Sequence, residues 1–291
     1  MELAEDTHKP DLVRLQAWTA LGEVGTPEAL NQLVRQLMTS WDKTRRNILR
    51  ILLKIPNEAG IEGVLDRLGR SGVETLIEQE LLFLGQIYAA LIDIGTDKIS
   101  GREADLLRRA LQDTQTDLFE RCFLLMKFLY PVSAIQAAAF NLESESRTNI
   151  ALAIEILDNT IDIPQKRAFL AILDRRSTTE KLASLEELVP YQPMSPSDRL
   201  RRLIDLRHFV ADWPLACCFH LAKAAHWSLS PEGTLVCLRH PIGFVREAVL
   251  TYLKAASPRA CMELLPALKA DSDRLVAAQV QQMIEEMGQV S

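Results

Sequence analysis

The sequence lacks the common motifs of nucleotide-binding sites, serine hydrolases and metalloproteases. It has no Gly-x4-Gly-Lys-Ser/Thr loop and no Gly-x-Gly-x-x-Gly turn, so the usual phosphate-binding loops are excluded. It also has no Gly-x-Ser-x-Gly elbow and no His-Glu-x-x-His pair. Neighbouring acids such as Glu186 and Glu187 point apart on a helix, so they do not form an acid–base pair. We therefore expect a protein that is not an enzyme and that carries no cofactor.

Aromatic residues and excess positive charge are also scarce. Phe, Trp and Tyr make up 6% of the residues, and a chain dominated by Leu, Ala and Ile favours helices packed on helices over sheets. The formal net charge is −6 at pH 7. Proteins that bind nucleic acids gain much of their affinity by neutralising phosphates, so this acidic balance argues against a nucleic-acid partner.

Long apolar runs and a cysteine framework are missing as well. The longest apolar stretch, 81–92, is shorter than the roughly 20 residues that a membrane-spanning helix needs. Five cysteines without framework spacing indicate free thiols in a reducing compartment. Residues 1–10 are polar and do not read as a signal peptide. These features predict a cytoplasmic protein without direct membrane insertion.

Signals that start helices recur along the whole chain. A capping hydroxyl followed by proline occurs at Thr26-Pro27, Ser195-Pro196, Ser230-Pro231 and Ser257-Pro258. Apolar residues three and four positions apart follow these starts, as amphipathic helices require. The pattern predicts helices over 11–24, 27–39, 42–55, 58–69, 73–94, 102–113, 117–130, 132–142, 145–160, 163–174, 179–188, 197–208, 213–227, 231–239, 242–256, 258–270 and 273–287.

Short linkers between these helices predict the architecture. Consecutive helices joined by a few residues lie antiparallel, and a pair repeats about every 30 residues. One pair cannot bury its own apolar face, but stacked pairs cover one another. We therefore expect an all-α protein, a single α-solenoid of about eight helix pairs over residues 1–291. The Pro-rich segment 189–198 marks a subdivision into 11–190 and 196–288 as an alternative.

Several second helices of these pairs open with a polar or acidic turn and an arginine. The openings are Asp42-Lys43-Thr44-Arg45, Glu145-Ser146-Arg147, Phe244-Val245-Arg246-Glu247 and Asp273-Arg274. In this feature the chain resembles the HEAT-repeat family, whose second helices begin with an acid and an arginine of this kind. The resemblance covers nearly the whole chain, although each unit is shorter than the typical HEAT period. It implies a helical scaffold that binds other proteins.

A more particular resemblance covers residues 118–174. Its markers are Leu129-Tyr130-Pro131, Asn141-Leu142-Glu143-Ser144 and the run 153–159. The segment looks like the HEAT segment that follows a membrane transporter domain in bacterial, including cyanobacterial, proteins. This resemblance implies a regulatory or accessory module that works beside a membrane protein and is peripheral to the membrane through that partner.

A cluster of cysteine and histidine residues offers candidate metal ligands. Cys217 and His220 repeat the three-residue spacing of Cys237 and His240, which suits zinc. The alternative is that the cysteines are small apolar residues facing the core. Structural zinc sites usually include tight loops, which this segment lacks, so we expect no metal.

Two arginine clusters are candidate partner-binding sites. The residues are Trp41, Arg45, Arg46 and Arg50 around one helix, and Arg199 and Arg202 around another. Arginine and tryptophan are enriched at the centres of protein interfaces. The alternative is a solvated face of mixed charge, because acids such as Asp42 and Asp198 interrupt both clusters.

Three function classes remain open. The preferred one is a non-catalytic scaffold or accessory module that binds another protein, including a membrane transporter. The second is a HEAT-like lyase or chaperone for bilin chromophores, although no residues of that family's signature are found. The third is a HEAT-like DNA glycosylase, which would need a basic groove that this acidic chain does not suggest. The sequence identifies neither the partner nor the oligomeric state.

Overall fold

The computed structural model describes residues 2–6, 9, 11–144 and 146–288, and over these residues the protein is helical with no strand. The first helices are α1 (Glu2–Glu5), α2 (Asp11–Val24), α3 (Pro27–Thr39), α4 (Asp42–Lys54), α5 (Ala59–Asp93), α6 (Arg102–Met126), α7 (Val132–Leu142) and α8 (Arg147–Thr160). The others are α9 (Lys166–Leu173), α10 (Thr178–Ser184), α11 (Pro196–Asp205), α12 (Asp212–Ala224), α13 (Pro231–Cys237), α14 (Gly243–Ala256), α15 (Pro258–Leu268) and α16 (Arg274–Gly288). A 3-10 turn, Pro56–Glu58, precedes α5. Glu145, which the sequence placed at a helix start, lies outside the described residues.

All four helix starts that were predicted from a hydroxyl followed by proline are confirmed, and three of them have the expected side-chain cap. The hydroxyls of Thr26, Ser195 and Ser230 each accept a hydrogen bond from the amide three residues on, at 3.2–3.3 Å. Each bond satisfies a helix N–H that has no partner inside the helix. Ser257 makes no such side-chain bond, although α15 does begin at the proline that follows it.

The predicted break between helices 102–113 and 117–130 is wrong. The structure has one continuous helix, α6, across this segment. Thr114 is buried in it, and the Thr116 hydroxyl donates a hydrogen bond to the Gln112 carbonyl at 3.4 Å. Threonine lowers helix propensity, but a hydroxyl that bonds back to the preceding turn can remain inside a helix.

The predicted helices 58–69 and 73–94 form one helical run that is interrupted by a kink at a single residue. The helical run α5 continues through this region, but Gly69 leaves the helical conformation with φ 63° and ψ 178°. Glycine adopts positive φ without steric cost, so the kink forms at this position. Residues 70–72 are helical.

One helical run among the described residues, Pro56–Asp93, is long and apolar enough to cross a membrane by length and composition alone. Its most apolar 18-residue window has a mean hydropathy of 1.2, and 61% of that window is buried inside the protein. The run also contains the fully buried acid Glu80. A mostly buried core helix meets the same criteria, so a single run of this kind is weak evidence for a membrane segment.

The chain forms two compact units. Unit 1 comprises Met1–Ile92 and Gln112–Pro193, and unit 2 comprises Asp93–Leu111 and Met194–Ser291. The boundary between residues 193 and 194 lies within the Pro-rich segment 189–198. Helix α6 starts in unit 2 and continues into unit 1, so each unit contains two separate stretches of chain.

The core of unit 1 contains a buried ionic network. Glu80 on α5 accepts hydrogen bonds from Arg45 on α4 at 2.7 Å and from Arg121 on α6 at 2.8 Å. Glu80 and Arg45 are fully buried, and Arg121 is 2% exposed. Arg45 also donates to the Ser40 carbonyl at 2.8 Å. Charges removed from water require such pairing, so this network links three helices through the core.

Helices α12, α14 and α16 are parallel neighbours in unit 2. Helix α14 packs against both α12 and α16. Corresponding ends of these helices meet. Trp213 contacts Phe244 near the N-termini, and Lys254 pairs with Glu286 near the C-termini. Each of the three helices also contacts the helix that precedes it in the chain, namely α11, α13 or α15.

Candidate functional site

Arg45 does not belong to an exposed docking cluster. Its side chain is fully buried and is bonded to Glu80, so the partner-binding role that the sequence suggested for it does not fit this position. Its guanidinium carbon lies 4.0 Å from the ring centre of Trp41, a cation–π contact within the protein itself. Burial lowers the pKa of Arg45, and the nearby Glu80 opposes this shift.

Arg46 and Arg50 are engaged with acids of α6. Arg46 donates to Asp117 at 2.5 Å, and both arginines pair with Glu120. Arg46 is 24% exposed and Arg50 49% exposed. The structure therefore places Trp41, Arg46 and Arg50 near one another, but it already uses the two cations within unit 1.

Arg199 is buried too, and Arg202 is exposed. Arg199 on α11 donates to the fully buried Asp93 at 2.8 Å, a pair that ties the two chain stretches of unit 2 together. Because Arg199 is only 3% exposed, it is also unsuited to contact a partner. Of this predicted pair, only Arg202 lies at the surface.

The four candidate metal ligands have separate environments. Cys217 and Cys237 are buried, and burial raises the pKa of each thiol to about 11. Burial also lowers the pKa of the half-buried His220, an effect opposed first by Glu247. His240 lies 3.6 Å from Asp212, and its Nδ1 accepts a hydrogen bond from the backbone of residue 242. Across the described part of the chain, no group of three or more His, Cys, Asp or Glu side chains could hold a metal ion.

We expect the thiols to react slowly in the folded protein. All five cysteines are buried, and the pKa is raised by burial at each of them, so the reactive thiolate is depleted near pH 8. A colorimetric disulfide reagent at pH 8 should titrate almost no thiol in native protein and all five after unfolding in guanidinium chloride. Fast reaction of one or more thiols in native protein would contradict their burial.

A wide groove in unit 1 has a lining of mixed charge. It has a volume of about 1020 Å³ between α8, α9 and α10. Its charges pair locally, with Lys166 bonded to Asp158 at 3.0 Å and Arg176 to Asp174 at 3.5 Å. The complete lining has five acids (Asp158, Asp162, Asp174, Glu186 and Glu187) and three bases (Lys166, Arg167 and Arg176), a net charge of −2.

A row of exposed apolar side chains crosses the face formed by α12, α14 and α16. We name Trp213, Phe244 and Leu275 the apolar strip. They are 48%, 43% and 74% exposed, respectively. Each is the second residue of its helix, and the interval from position 213 to 244 equals the interval from 244 to 275. The strip residues are therefore exposed at equal intervals along the sequence. By contrast, Arg45 and Arg199 of the predicted clusters are buried.

Contacts between the helices hold the strip in register. The Trp213 and Phe244 rings meet edge to face, with centroids 6.2 Å apart. Asp273 lies against Gly243, where a Cβ atom would come within 1.9 Å of its carboxylate, so the start of α16 adjoins the start of α14. Aromatic pairs of this geometry add to apolar burial, and here the pair fixes two of the three strip residues.

Three cations without an ion pair lie within a few residues of the strip residues in the sequence. Arg239, Lys269 and Arg274 are exposed, and none forms an ion pair with another described residue. Arg274 precedes the strip residue Leu275 directly. Arg239 stands beside His240, which contacts the helix that carries Trp213. Three acids, Asp212, Asp273 and Glu247, lie equally close to the strip residues in the sequence, so this edge carries both signs of charge.

A groove lies between the same three helices, nearer their C-terminal ends than the strip. It has a volume of about 450 Å³ and is lined mainly by polar side chains, with Lys223 on α12, Lys254 on α14 and Gln282 on α16 among them. Lys223 and Lys254 stand at equivalent positions, separated by the same interval as Trp213 and Phe244. The face thus combines an apolar edge with a polar groove, an arrangement typical of interaction surfaces.

Comparisons with known proteins identify no family for this chain. No protein-family model matches it, and no curated protein or solved structure matches it.

Proposed function

We propose that this protein is a non-catalytic scaffold, a HEAT-like α-solenoid, that binds a partner protein through the face of α12, α14 and α16. The observation that carries the proposal is the apolar strip, in which Trp213, Phe244 and Leu275 repeat at the same position of three parallel helices. The parallel packing of these helices in unit 2 is what stacked helix pairs would produce.

The chemistry of the strip favours a protein partner. Tryptophan and phenylalanine are costly to expose, and tryptophan is among the residues that contribute most to protein–protein binding. An exposed large side chain on its own requires no explanation, but three at equivalent positions of neighbouring helices form a repeated apolar feature. Their regular spacing matches an elongated ligand that contacts each helix in turn.

The resemblance of residues 118–174 to transporter-linked HEAT segments suggests where to look for this partner. An accessory module of that kind would be recovered with the membrane fraction through its partner. We therefore propose a membrane protein as the partner class to test first.

The proposal is tested by affinity capture with three baits from both soluble and membrane fractions of the cells that carry the native gene. The wild-type bait should recover a defined partner, and the triple variant Trp213→Ala, Phe244→Ala, Leu275→Ala should recover at least about tenfold less, because each anchor contributes about 1–2 kcal/mol. Quantitative mass spectrometry of the captured proteins provides the measurement.

The matched control removes three apolar side chains of similar exposure from other helices. Leu235 and Val236 on α13 and Met262 on α15 are 45%, 41% and 42% exposed. The variant with alanine at these three positions should recover the partner as wild type does. Equal recovery by the strip variant and wild type, or loss with the control variant alone, would argue against the proposed surface.

A further inference from the structure

We infer that the wide groove between α8, α9 and α10 in unit 1 receives a basic segment of a partner protein. The groove has a volume of about 1020 Å³, and its lining has a net charge of −2. The apolar strip belongs to unit 2, so this second surface goes beyond the proposed function and does not depend on it.

All five acids of the lining stand at the C-terminal end of a helix. Asp158 is in the last turn of α8, and Asp162 follows the end of that helix by two residues. Asp174 is the C-cap residue of α9, and Glu186 and Glu187 follow the end of α10 by two and three residues. The carbonyl groups that end a helix carry a partial negative charge, so this position favours cations and disfavours acids. A bound cation would therefore be attracted by the helix ends as well as by the carboxylates.

Three of these acids have no counter-charge. The other two pair with bases of the same lining. Asp162, Glu186 and Glu187 are exposed, and none of them forms an ion pair with a described residue. Arg167 is the one base of the lining without such a pair among the described residues. The unpaired groups of the lining therefore account for its whole excess of negative charge.

Charged residues that adjoin the lining do not cancel this excess. Three bases and three acids interact with lining residues or stand next to them in the sequence, namely Arg70, Arg175, Lys181, Glu78, Glu155 and Glu180. Unit 1 as a whole contains 18 Lys and Arg against 25 Asp and Glu, a net charge of −7. The local excess and the charge of the unit therefore both attract a basic ligand.

The rest of the lining suits the side chains of a peptide. Ile154, Leu170 and Leu188 are partly exposed in it, and the long apolar stems of lysine and arginine pack on such residues while their charged ends reach the acids. Gln165 adds an unsatisfied acceptor, because its side-chain oxygen is buried and accepts no hydrogen bond within the described chain. Lysine and arginine side chains only donate hydrogen bonds, so they match a lining that is rich in acceptors.

Parallel selection of displayed random peptides on full-length wild type and on a groove variant, Asp162→Lys, Glu186→Lys, Glu187→Lys, tests this assignment. The probe is the peptide library, and sequencing of the enriched peptides is the measurement. Peptides enriched on wild type but not on the groove variant should be net basic, with apolar residues among their lysines and arginines. A resynthesised peptide should bind the groove variant at least about tenfold more weakly, and its binding to wild type should weaken as salt rises.

The matched control makes the same change in net charge away from the groove. Glu23, Asp113 and Glu263 are exposed, form no ion pair with a described residue and do not line the groove. Their replacement by lysine should leave peptide binding unchanged. An equal loss of binding in both variants would show that the peptides respond to the overall charge of the protein, and it would overturn the groove as their site.

Thermal unfolding gives a second readout, which a structural role of the acids would move in the opposite direction. Lysine near a helix C-terminus interacts favourably with the helix dipole, so the Tm of the groove variant should not fall below that of wild type. A clear decrease in Tm, larger than in the control variant, would mean that the acids stabilise the fold and would contradict a role in binding.

Other results overturn the inference in recognisable ways. Neutral or acidic peptides that require the groove, or the absence of any peptide that requires it, would contradict a basic occupant. If the only binders were peptides lost with the alanine variant of the strip, the proposed function would stand and the basic occupant would not. Spermidine that bound wild type more tightly than any selected peptide, and did not bind the groove variant, would replace the protein segment with a small polyamine.

Discussion

Replacing Glu80 with alanine is expected to lower the free energy of unfolding of unit 1 by about 3–5 kcal/mol. The carboxylate bonds two arginines in a core from which water is excluded, so its removal leaves Arg45 and Arg121 buried without this counter-charge. Urea denaturation followed by circular dichroism measures the loss. Hydrogen exchange should locate it, because protection should fall first in α4, α5 and α6.

Two comparison variants separate charge from packing. Glu74 forms a more exposed pair with Arg70 one helical turn away, so Glu74→Ala should cost only about 0.3–0.5 kcal/mol. The triple variant Arg45→Met, Glu80→Leu, Arg121→Met removes the whole network and should be more stable than Glu80→Ala alone. If Glu80→Ala and Glu74→Ala had the same small effect, the ionic network would not contribute to the core as described.

Replacing Phe219 with alanine should destabilise unit 2 by about 3–5 kcal/mol. Phe219 is fully buried on α12, and its ring meets Tyr252 of α14 edge to face at 5.9 Å. The substitution removes a large side chain from the contact between two parallel helices and leaves a cavity that the surroundings only partly fill. Urea denaturation and hydrogen exchange of α12 and α14 provide the measurement.

The matched control is Phe244→Ala, the same substitution on the neighbouring helix of the same unit. Phe244 is 43% exposed, so its removal should cost less than about 1 kcal/mol of stability. This control also establishes that loss of partner capture by the alanine variant of the strip does not arise from unfolding. A loss of stability in Phe244→Ala as large as in Phe219→Ala would mean that α12 and α14 pack differently.

Much of the fold could be predicted from local signals. A capping hydroxyl before proline acts within one helical turn. The helix starts at Thr26, Ser195 and Ser230 could therefore be predicted from the sequence. The error at residues 114–116 has a local cause too, since a threonine that bonds back to its own helix looks like a break when only propensity is considered. Helix propensity alone does not show whether such a threonine ends a helix or remains inside it.

The burial of Arg45 and Arg199 could not be predicted from the residues next to them in the sequence. Arginine is usually exposed, and the partners that make burial possible, Glu80 and Asp93, lie 35 and 106 residues away in the sequence. The one available signal was a glutamate directly before the apolar stretch 81–92. A charged residue in a core helix calls for an opposite charge, but the sequence does not indicate which one.

The apolar strip was also missed, although its signal is present in the sequence. Trp213 and Phe244 each stand at the start of an amphipathic helix, where an apolar residue is ordinarily assigned to the core. Only the equal intervals between positions 213, 244 and 275, compared across helices, mark these positions as equivalent. The exposure of both side chains then depends on how the helices pack, which sequence spacing alone does not determine.

The equal interval between equivalent positions has a consequence for how such a surface can change in length. Duplication or deletion of one whole interval, a helix together with its neighbour, would return the following helix to the same rotational phase and preserve its contacts. An insertion or deletion of any other length would rotate the following helix about its axis. Its exposed apolar residue would then no longer align with the apolar strip. Genes encoding longer or shorter versions of this protein should therefore differ in this region by whole multiples of that interval, with one large apolar anchor gained or lost each time.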